Sequence, residues 1–189
     1  MMKKELFRKS ILVRPLHSFF TLLAFLSILF PPAQAAESYK VGAAFAITGP
    51  ASWLGEPERN TIKMMEDQIN AQGGINGHPL EVIVEDTVGD ETRAVMVVNK
   101  LINKDNVLAV VGPTRSGTTM AVIPIVEKAQ VPLISCASAE EIVKPVKQWV
   151  FKTAQNDSDG VIKIYEKMKA MNISKVVIIS STDGYGMEG

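Results

Sequence analysis

The sequence has a single cysteine, Cys136, and only two histidines, His17 and His78. One cysteine forms no internal disulfide, and because Cys136 lies in an apolar stretch we interpret it as a small buried residue. No group of Cys and His has the spacing of a metal site. A hydrolase needs a base beside its nucleophile, and neither histidine is well placed to be one. We therefore expect no metal, no catalytic residue and no enzyme.

Nucleotide-binding motifs and basic clusters are also missing. The sequence contains no G-x-x-x-x-G-K-[ST], and no G-x-G-x-x-G follows its first predicted strand. Residues 36–189 contain 15 basic and 19 acidic residues, without a cluster of Lys and Arg. A mildly acidic chain of this kind does not favour nucleic acid as a partner. We expect no cofactor and no nucleic-acid partner.

The first 35 residues have the features of a secretory signal. Five basic residues precede an apolar run over residues 19–30, which is followed by Pro31-Pro32 and by Ala33-Gln34-Ala35. A basic segment, a short apolar core and an A-x-A site are typical of a cleavable signal peptide. The run of 12 residues is too short for a bilayer, which needs about 20. We predict cleavage after Ala35, a periplasmic location and no membrane insertion of the mature chain.

Beyond this leader, short apolar runs rich in β-branched residues alternate with segments of helical period. Strands are predicted over residues 41–47, 80–84, 107–111, 131–134 and 176–179. Between them, apolar residues recur three and four positions apart, as on one face of a helix. These stripes are Ile62/Met65/Ile69, Ala94/Val97/Val98/Leu101/Ile102, Met120/Ile123/Val126/Ala129 and Ile164/Met168/Met171. The alternation predicts an α/β fold with a Rossmann-like parallel sheet flanked by helices.

Three predicted strands end in loops that are rich in small and hydroxyl residues, over residues 48–55, 112–119 and 135–139. Ligands of open parallel sheets bind at the carboxyl ends of the strands. Ser116 and Thr118 lie where a helix is predicted to begin, so that they either help to hold a carboxylate or merely cap the helix. Trp53 either walls a ligand site or covers an edge of the core. The residues alone leave both alternatives open.

Three parts of the chain resemble the periplasmic leucine/isoleucine/valine-binding proteins, which have the type I periplasmic-binding fold. The most specific is N-A-Q-G-G-I-N-G at residues 70–77. The others are Lys40-Val41-Gly42 with Thr48-Gly49-Pro50, and Val110-Val111-Gly112-Pro113 with Ser116-Gly117. In that family two lobes close over a ligand and present it to an ABC permease. The resemblance therefore implies a substrate-binding component of an ABC importer, which captures a branched-chain amino acid or a related amino-acid-like ligand in the periplasm.

The resemblance also implies roles for individual residues. Ser116 matches the serine that holds the ligand carboxylate, and Ala137 matches the residue whose backbone meets the ligand. Tyr185 matches the aromatic residue that the second lobe closes onto the ligand. Trp53 lies one position from the usual tryptophan of the family.

One position departs from the family pattern. Ala139 stands where amino-acid binders usually have threonine, and Ser138 is the residue that could substitute for it. The departure leaves amides and aromatic carboxylates open as ligands.

The resemblance further implies two lobes, the first over residues 36–154 and the start of a second over residues 155–189. Family members are about twice as long as this chain, so we expect the sequence to be their N-terminal part. A receptor ectodomain of the same fold is the alternative function. A transmembrane segment further along the chain would distinguish it.

Overall fold

The computed structural model describes residues 36–187, so the predicted signal peptide lies outside the described residues. The strands are β1 (Tyr39–Phe45), β2 (Leu80–Asp86), β3 (Ala109–Val111), β4 (Leu133–Ser135) and β5 (Val150–Lys152). The helices are α1 (Ser52–Ala71), α2 (Glu91–Asn103), α3 (Ser116–Ala129) and α4 (Asp157–Ala170), with a short 3₁₀ helix at Glu140–Ile142.

The five strands form one parallel sheet in the order β2-β1-β3-β4-β5. Alternate residues of β1 face opposite layers, as the pleat of a strand requires. Ala43 and Phe45 pack in a cluster with Ile62 and Ile69 of α1, whereas Ala44 packs in a second cluster with residues of α2 and α3. The predicted α/β class, with helices on both faces of a parallel sheet, is confirmed.

Four predicted strands are present within two residues of their predicted bounds, but the prediction of a buried strand over residues 176–179 was wrong. This segment forms no strand, and Val177 and Ile179 are 89% and 93% exposed. A strand requires a neighbour for its backbone N–H and C=O groups, and within residues 36–187 none pairs with this segment. The fifth strand is instead β5, which was not predicted and which pairs in parallel with β4.

The four helical stripes lie on helices of the structure, except that Met171 is the C-cap residue just after α4, and the stripe on α4 is not buried. Ile164 of α4 is 60% exposed, and none of the residues of α4 is buried. Within the described part of the chain, no helix combines the length and the apolar character needed to cross a membrane.

A close contact between α1 and β1 fixes the edge of the sheet where the candidate site lies. A Cβ atom on Gly55 would lie 2.1 Å from the carbonyl oxygen of Ala46. Only glycine therefore allows the first turns of α1 to pass so close to the end of β1. Since all strands are parallel, the carboxyl ends of β1, β3, β4 and β5 meet at this same edge.

Candidate functional site

A cleft of about 530 Å³ lies at the carboxyl edge of the sheet. Cavities that bind small molecules commonly measure about 300–1,000 Å³ and combine apolar walls with a few polar groups. This cleft has that character. Its lining residues are Pro50, Ala51, Trp53, Leu54, Glu58, Thr114, Arg115, Ser116, Cys136, Ala137, Ser138, Ala154, Asp183 and Tyr185.

The structure brings five of the six predicted ligand-binding residues together in this cleft. Trp53, Ser116, Ala137, Ser138 and Tyr185 all line it. The sixth, Ala139, does not line the cleft.

Ala139 is instead fully buried behind the cleft. Its backbone N–H donates a long hydrogen bond of 3.4 Å to Oγ of Ser116. Ala139 therefore contacts the serine that is predicted to hold the ligand carboxylate.

The N-terminus of α3 provides the positive end of a helix dipole at the cleft. Ser116 is the first residue of this helix and is only 2% exposed. The N–H groups of a first helical turn have no partners within the helix, and such groups bind anions readily. The hydroxyl of Thr118 donates to the carbonyl oxygen of Arg115 at 2.8 Å, so it does not cap these N–H groups. The N-cap residue, Arg115, makes no side-chain cap hydrogen bond either.

The loop after β4 is held by hydrogen bonds on two sides. Oγ of Ser135 accepts the N–H of Ala137 at 3.1 Å and lies 2.8 Å from Oγ1 of Thr119. On the other side, Nζ of Lys152 donates to the carbonyl oxygen of Ser138 at 2.5 Å. These bonds fix the backbone at Ala137, which is 5% exposed. A ligand therefore meets a loop whose shape is already set.

Trp53 lies in the first turn of α1 and not in a loop as the sequence suggested. Its side chain is 72% exposed. An indole with this exposure does not cover an edge of the core. Of the two alternatives for Trp53, the structure favours a wall of the cleft, next to Leu54.

Glu58 lines the cleft but was not predicted from the sequence. Its Oε2 accepts a hydrogen bond of 2.5 Å from Oγ1 of Thr114. Burial raises the pKa of the Glu58 carboxyl, and the hydrogen bonds from Thr114 and Cys136 oppose that rise. Leu54 and Glu58 are four residues apart and so lie on one face of α1. That spacing identifies Glu58 as a cleft residue once the start of the helix is known.

Cys136 lies beside Glu58 and is partly rather than fully buried. Its burial raises the pKa of the thiol to about 12, and the neighbouring Glu58 carboxyl contributes to the rise. The thiol is therefore protonated at neutral pH and acts as a weak donor.

A loop over residues 181–187 lies against the N-terminus of α3. The guanidinium of Arg115 pairs with the carboxylate of Asp183 and donates to the carbonyl oxygen of Gly89 at 3.4 Å. Gly184 packs closely on Gly117, because a Cβ on Gly184 would lie 2.8 Å from the Cα of Gly117. These contacts place Tyr185 at the cleft.

Asp183 is held in its ionised form. The backbone N–H of Gly186 and the hydroxyl of Ser181, followed by Arg115, lower the pKa of the Asp183 carboxyl to about 2. The ion pair between Asp183 and Arg115 is therefore present at neutral pH. Neither member of this pair was predicted as a site residue, since nothing in the chain order brings residues 68 positions apart together.

Within residues 36–187, no three side chains of His, Cys, Asp or Glu form a cluster that could hold a metal ion. The groups that the cleft offers are hydroxyls, helix N–H groups, an arginine, two carboxyls and apolar side chains. Such a set can bind a small molecule with charged and apolar parts.

Comparison with known proteins relates the chain to one family. A family model described as "Periplasmic binding protein" matches residues 38–189. An "Amino acid binding protein" from Pseudomonas aeruginosa is 28% identical over 187 residues, covering 98% of this chain. The Leu/Ile/Val-binding protein of Escherichia coli is 30% identical over 166 residues, covering 85% of this chain. The chain spans 48% and 44% of the lengths of these two relatives, respectively.

A solved structure shows the same fold. The branched-chain amino acid transporter substrate-binding protein LivJ from Streptococcus pneumoniae, in complex with isoleucine, is 34% identical with a TM-score of 0.62. The match covers 65% of this chain and 35% of that protein.

Proposed function

Since this chain belongs to the periplasmic binding protein family, we propose that it is the substrate-binding component of an ABC importer. Its ligand is a branched-chain amino acid or a related small amino-acid-like molecule, captured in the periplasm. The observation that carries the proposal is the cleft at the carboxyl edge of the sheet, where the N-terminus of α3 meets an apolar wall. The relatives named above are binding proteins, which supports reversible capture without catalysis.

The N-terminus of α3 binds the carboxylate of the ligand. Ser116 supplies a hydroxyl, and the free N–H groups of the first turn supply further donors. The helix dipole favours an anion at this end. The backbone of Ala137 and the side chain of Ser138 lie in the same cleft and complete the polar side of the site.

The apolar side chain of the ligand packs against Trp53 and Leu54. Trp53 is 72% exposed, so it has much apolar surface left to bury on a ligand. Burial of apolar area stabilises a complex by about 25 cal/mol per Å². A branched aliphatic chain therefore gains affinity from this wall without a dedicated hydrogen bond.

Closure over the ligand involves the loop over residues 181–187. We propose that residues 36–154 form the first lobe, that residues 155–189 begin the second, and that Tyr185 reaches the ligand from that second part. Arg115 and Asp183 hold this loop at the cleft. A ligand that contacts both parts shifts the equilibrium towards the closed form, which is the form presented to the ABC permease.

We also propose that the chain is exported to the periplasm before it binds its ligand. The basic and apolar N-terminal segment directs the chain to the periplasm, with cleavage after Ala35. N-terminal sequencing of the protein from a periplasmic extract tests this step. Ala36 as the first residue is the expected result, and an intact Met1 in that extract contradicts it.

Thermal denaturation with candidate ligands tests the proposed capture. The protein, expressed from its complete natural reading frame, is screened against amino acids, amides and aromatic carboxylates. A ligand present at 100 times its Kd stabilises the native state by about 2.7 kcal/mol. Stabilisation by leucine, isoleucine or valine supports the proposal. If only an aromatic carboxylate stabilises the protein, the ligand is an aromatic carboxylate and not an amino acid. If no compound of the screen stabilises it, solute capture is contradicted.

A further inference from the structure

Glu58 is a cleft carboxyl that has no cationic partner among the residues that the structure describes. The two acidic residues that line the cleft are Glu58 and Asp183, and Asp183 pairs with Arg115. Across residues 36–187, no Lys, Arg or His forms an ion pair with Glu58. The two protein groups that donate to Glu58 are the hydroxyl of Thr114 and the thiol of Cys136, and both are neutral.

A partly buried carboxylate of this kind lacks a compensating charge. Removal of an ion from water is costly unless an opposite charge and hydrogen bonds replace the lost hydration. Thr114 orients the Glu58 carboxyl, since Oγ1 of Thr114 also accepts the N–H of Ala46 at 2.9 Å and so has a fixed direction. The carboxyl is thus held in place at the cleft while its charge stays unpaired by the protein.

Glu58 lies close to the site proposed for the ligand carboxylate. Thr114, to which Glu58 is hydrogen-bonded, is two residues from Ser116. Two residues of extended chain separate Cα atoms by at most about 7 Å. Glu58 and Ser116 line the same cleft, so a ligand with an anionic and a cationic end, such as an α-amino acid, can present one end to each.

We propose that Glu58 is a specificity-determining residue, which accepts a hydrogen bond from the ammonium group of the ligand and so selects amino acids over carboxylic acids without an amine. This inference rests on the proposed function, because it places the ligand carboxylate at Ser116. The unpaired carboxyl favours an ammonium over a hydroxyl, since only the ammonium supplies the missing positive charge. A site built around a charged donor rejects analogues that lack it, because the charge of the partly buried acceptor is then left without a compensating cation.

Isothermal titration tests the selectivity with three probes of one carbon skeleton. L-leucine carries the ammonium, 2-hydroxy-4-methylpentanoate carries a hydroxyl in its place, and 4-methylpentanoate carries neither. The variants are Glu58→Gln, the conservative Glu58→Asp, and Glu56→Gln as a matched control. Glu56 lies on the same helix but is exposed and does not line the cleft.

In the wild type, leucine binds more tightly than both analogues. Glu58→Gln weakens leucine binding by about 10- to 100-fold, the range for loss of one charged hydrogen bond, and leaves the binding of 4-methylpentanoate within a few fold. Glu58→Asp retains part of the preference, and Glu56→Gln retains all of it. Circular dichroism melting of each variant separates a loss of fold from a loss of selectivity.

Two results overturn the inference in distinguishable ways. If Glu58→Gln keeps the leucine preference of the wild type, or if the wild type binds 4-methylpentanoate as tightly as leucine, Glu58 does not select the ammonium while solute capture stands. If the wild type binds no amino acid and none of the analogues, the proposed function fails and the inference with it.

Discussion

Thr114 links the end of β1 to helix α1 through a single hydroxyl group. Its Oγ1 accepts the N–H of Ala46 at 2.9 Å and donates to Oε2 of Glu58 at 2.5 Å. Thr114 is 5% exposed, so water does not easily replace either bond. The relationship couples the position of a cleft carboxyl to the backbone at the end of β1.

We predict that Thr114→Val destabilises the protein by about 1–3 kcal/mol, because it leaves the buried N–H of Ala46 without a partner and removes one hydrogen bond from the partly buried carboxyl of Glu58. Thr114→Ser keeps the hydroxyl and is the matched control. Urea denaturation monitored by circular dichroism measures both. Equal stabilities for the Val and Ser variants would show that the hydroxyl makes no net contribution.

A substitution at Gly55 tests the close contact between α1 and β1. An added Cβ at this position meets backbone atoms of Ala46, the nearest at 2.1 Å, so neither partner can move aside cheaply. We predict that Gly55→Ala destabilises the fold by about 1–3 kcal/mol, as overpacking usually does.

Gly160→Ala is the control for that variant. Gly160 also lies in a helix, but an added Cβ there meets nothing within 4 Å. Alanine is favoured over glycine within a helix by about 1 kcal/mol, so this variant is expected to be as stable as the wild type or more stable. A Gly55→Ala variant with wild-type stability would contradict the contact.

A substitution at Ser116 tests whether this end of the cleft binds the ligand carboxylate. We predict that Ser116→Ala lowers the affinity for leucine about 10-fold, because one hydrogen bond to a charged group is lost. Thr92→Ala is the control, since Thr92 is an exposed hydroxyl residue in the first turn of α2. Isothermal titration measures both, and equal losses in the two variants would contradict a specific role for Ser116.

Asp183 gives a prediction for acid pH. Its pKa is lowered to about 2 by Gly186, Ser181 and Arg115. A carboxyl with a lowered folded-state pKa stabilises the native state above its unfolded-state pKa of about 3.9, and this contribution is lost as the pH falls towards 2. We predict that the stability difference between wild type and Asp183→Asn is constant from about pH 8 to 5 and disappears below about pH 2.

Carbon NMR of the Asp183 carboxyl measures its pKa directly. In Arg115→Gln the pKa is expected to rise but to stay below the value of an unperturbed aspartate, because the N–H of Gly186 and the hydroxyl of Ser181 remain. A value in that variant equal to that of an unperturbed aspartate, about 3.9, would show that Arg115 is the main cause.

The fold was largely predictable because its strands and helices have distinct periods. The stripe of Ala94, Val97, Val98 and Leu101 is fully or almost fully buried in the structure, as a helix that packs on a sheet requires. The prediction over residues 176–179 failed since a run of apolar residues shows that a segment can be buried, but not that a neighbour is there to bury it. β5 was missed because three residues, Val150–Lys152, give no measurable alternation.

The site was predictable where a residue lies at the end of a strand or the start of a helix. Ser116 and Ala137 lie in the cleft for that reason. Glu58 was missed because it lies on the second turn of α1, and its place in the cleft depends on how closely Gly55 lets that helix approach Ala46. Arg115 and Asp183 meet only through tertiary structure, which no local pattern contains.

The thiol of Cys136 gives a chemical test of the environment of Glu58. Burial raises the pKa of Cys136 to about 12, and Glu58 adds to the rise through its charge and its hydrogen bond. Since the thiolate is the reactive form, we predict that iodoacetamide at pH 8 modifies folded Cys136 more than about 100-fold more slowly than an unfolded cysteine of pKa about 8.5. Glu58→Gln removes the charge and speeds the reaction, but the rate stays below that of the unfolded chain because burial persists. Mass spectrometry of alkylated protein in buffer and in urea measures the rates, and wild type and variant are expected to react equally in urea. If the two also react equally in buffer, the carboxyl of Glu58 does not act on the thiol, and the hydrogen bond between them is absent in solution.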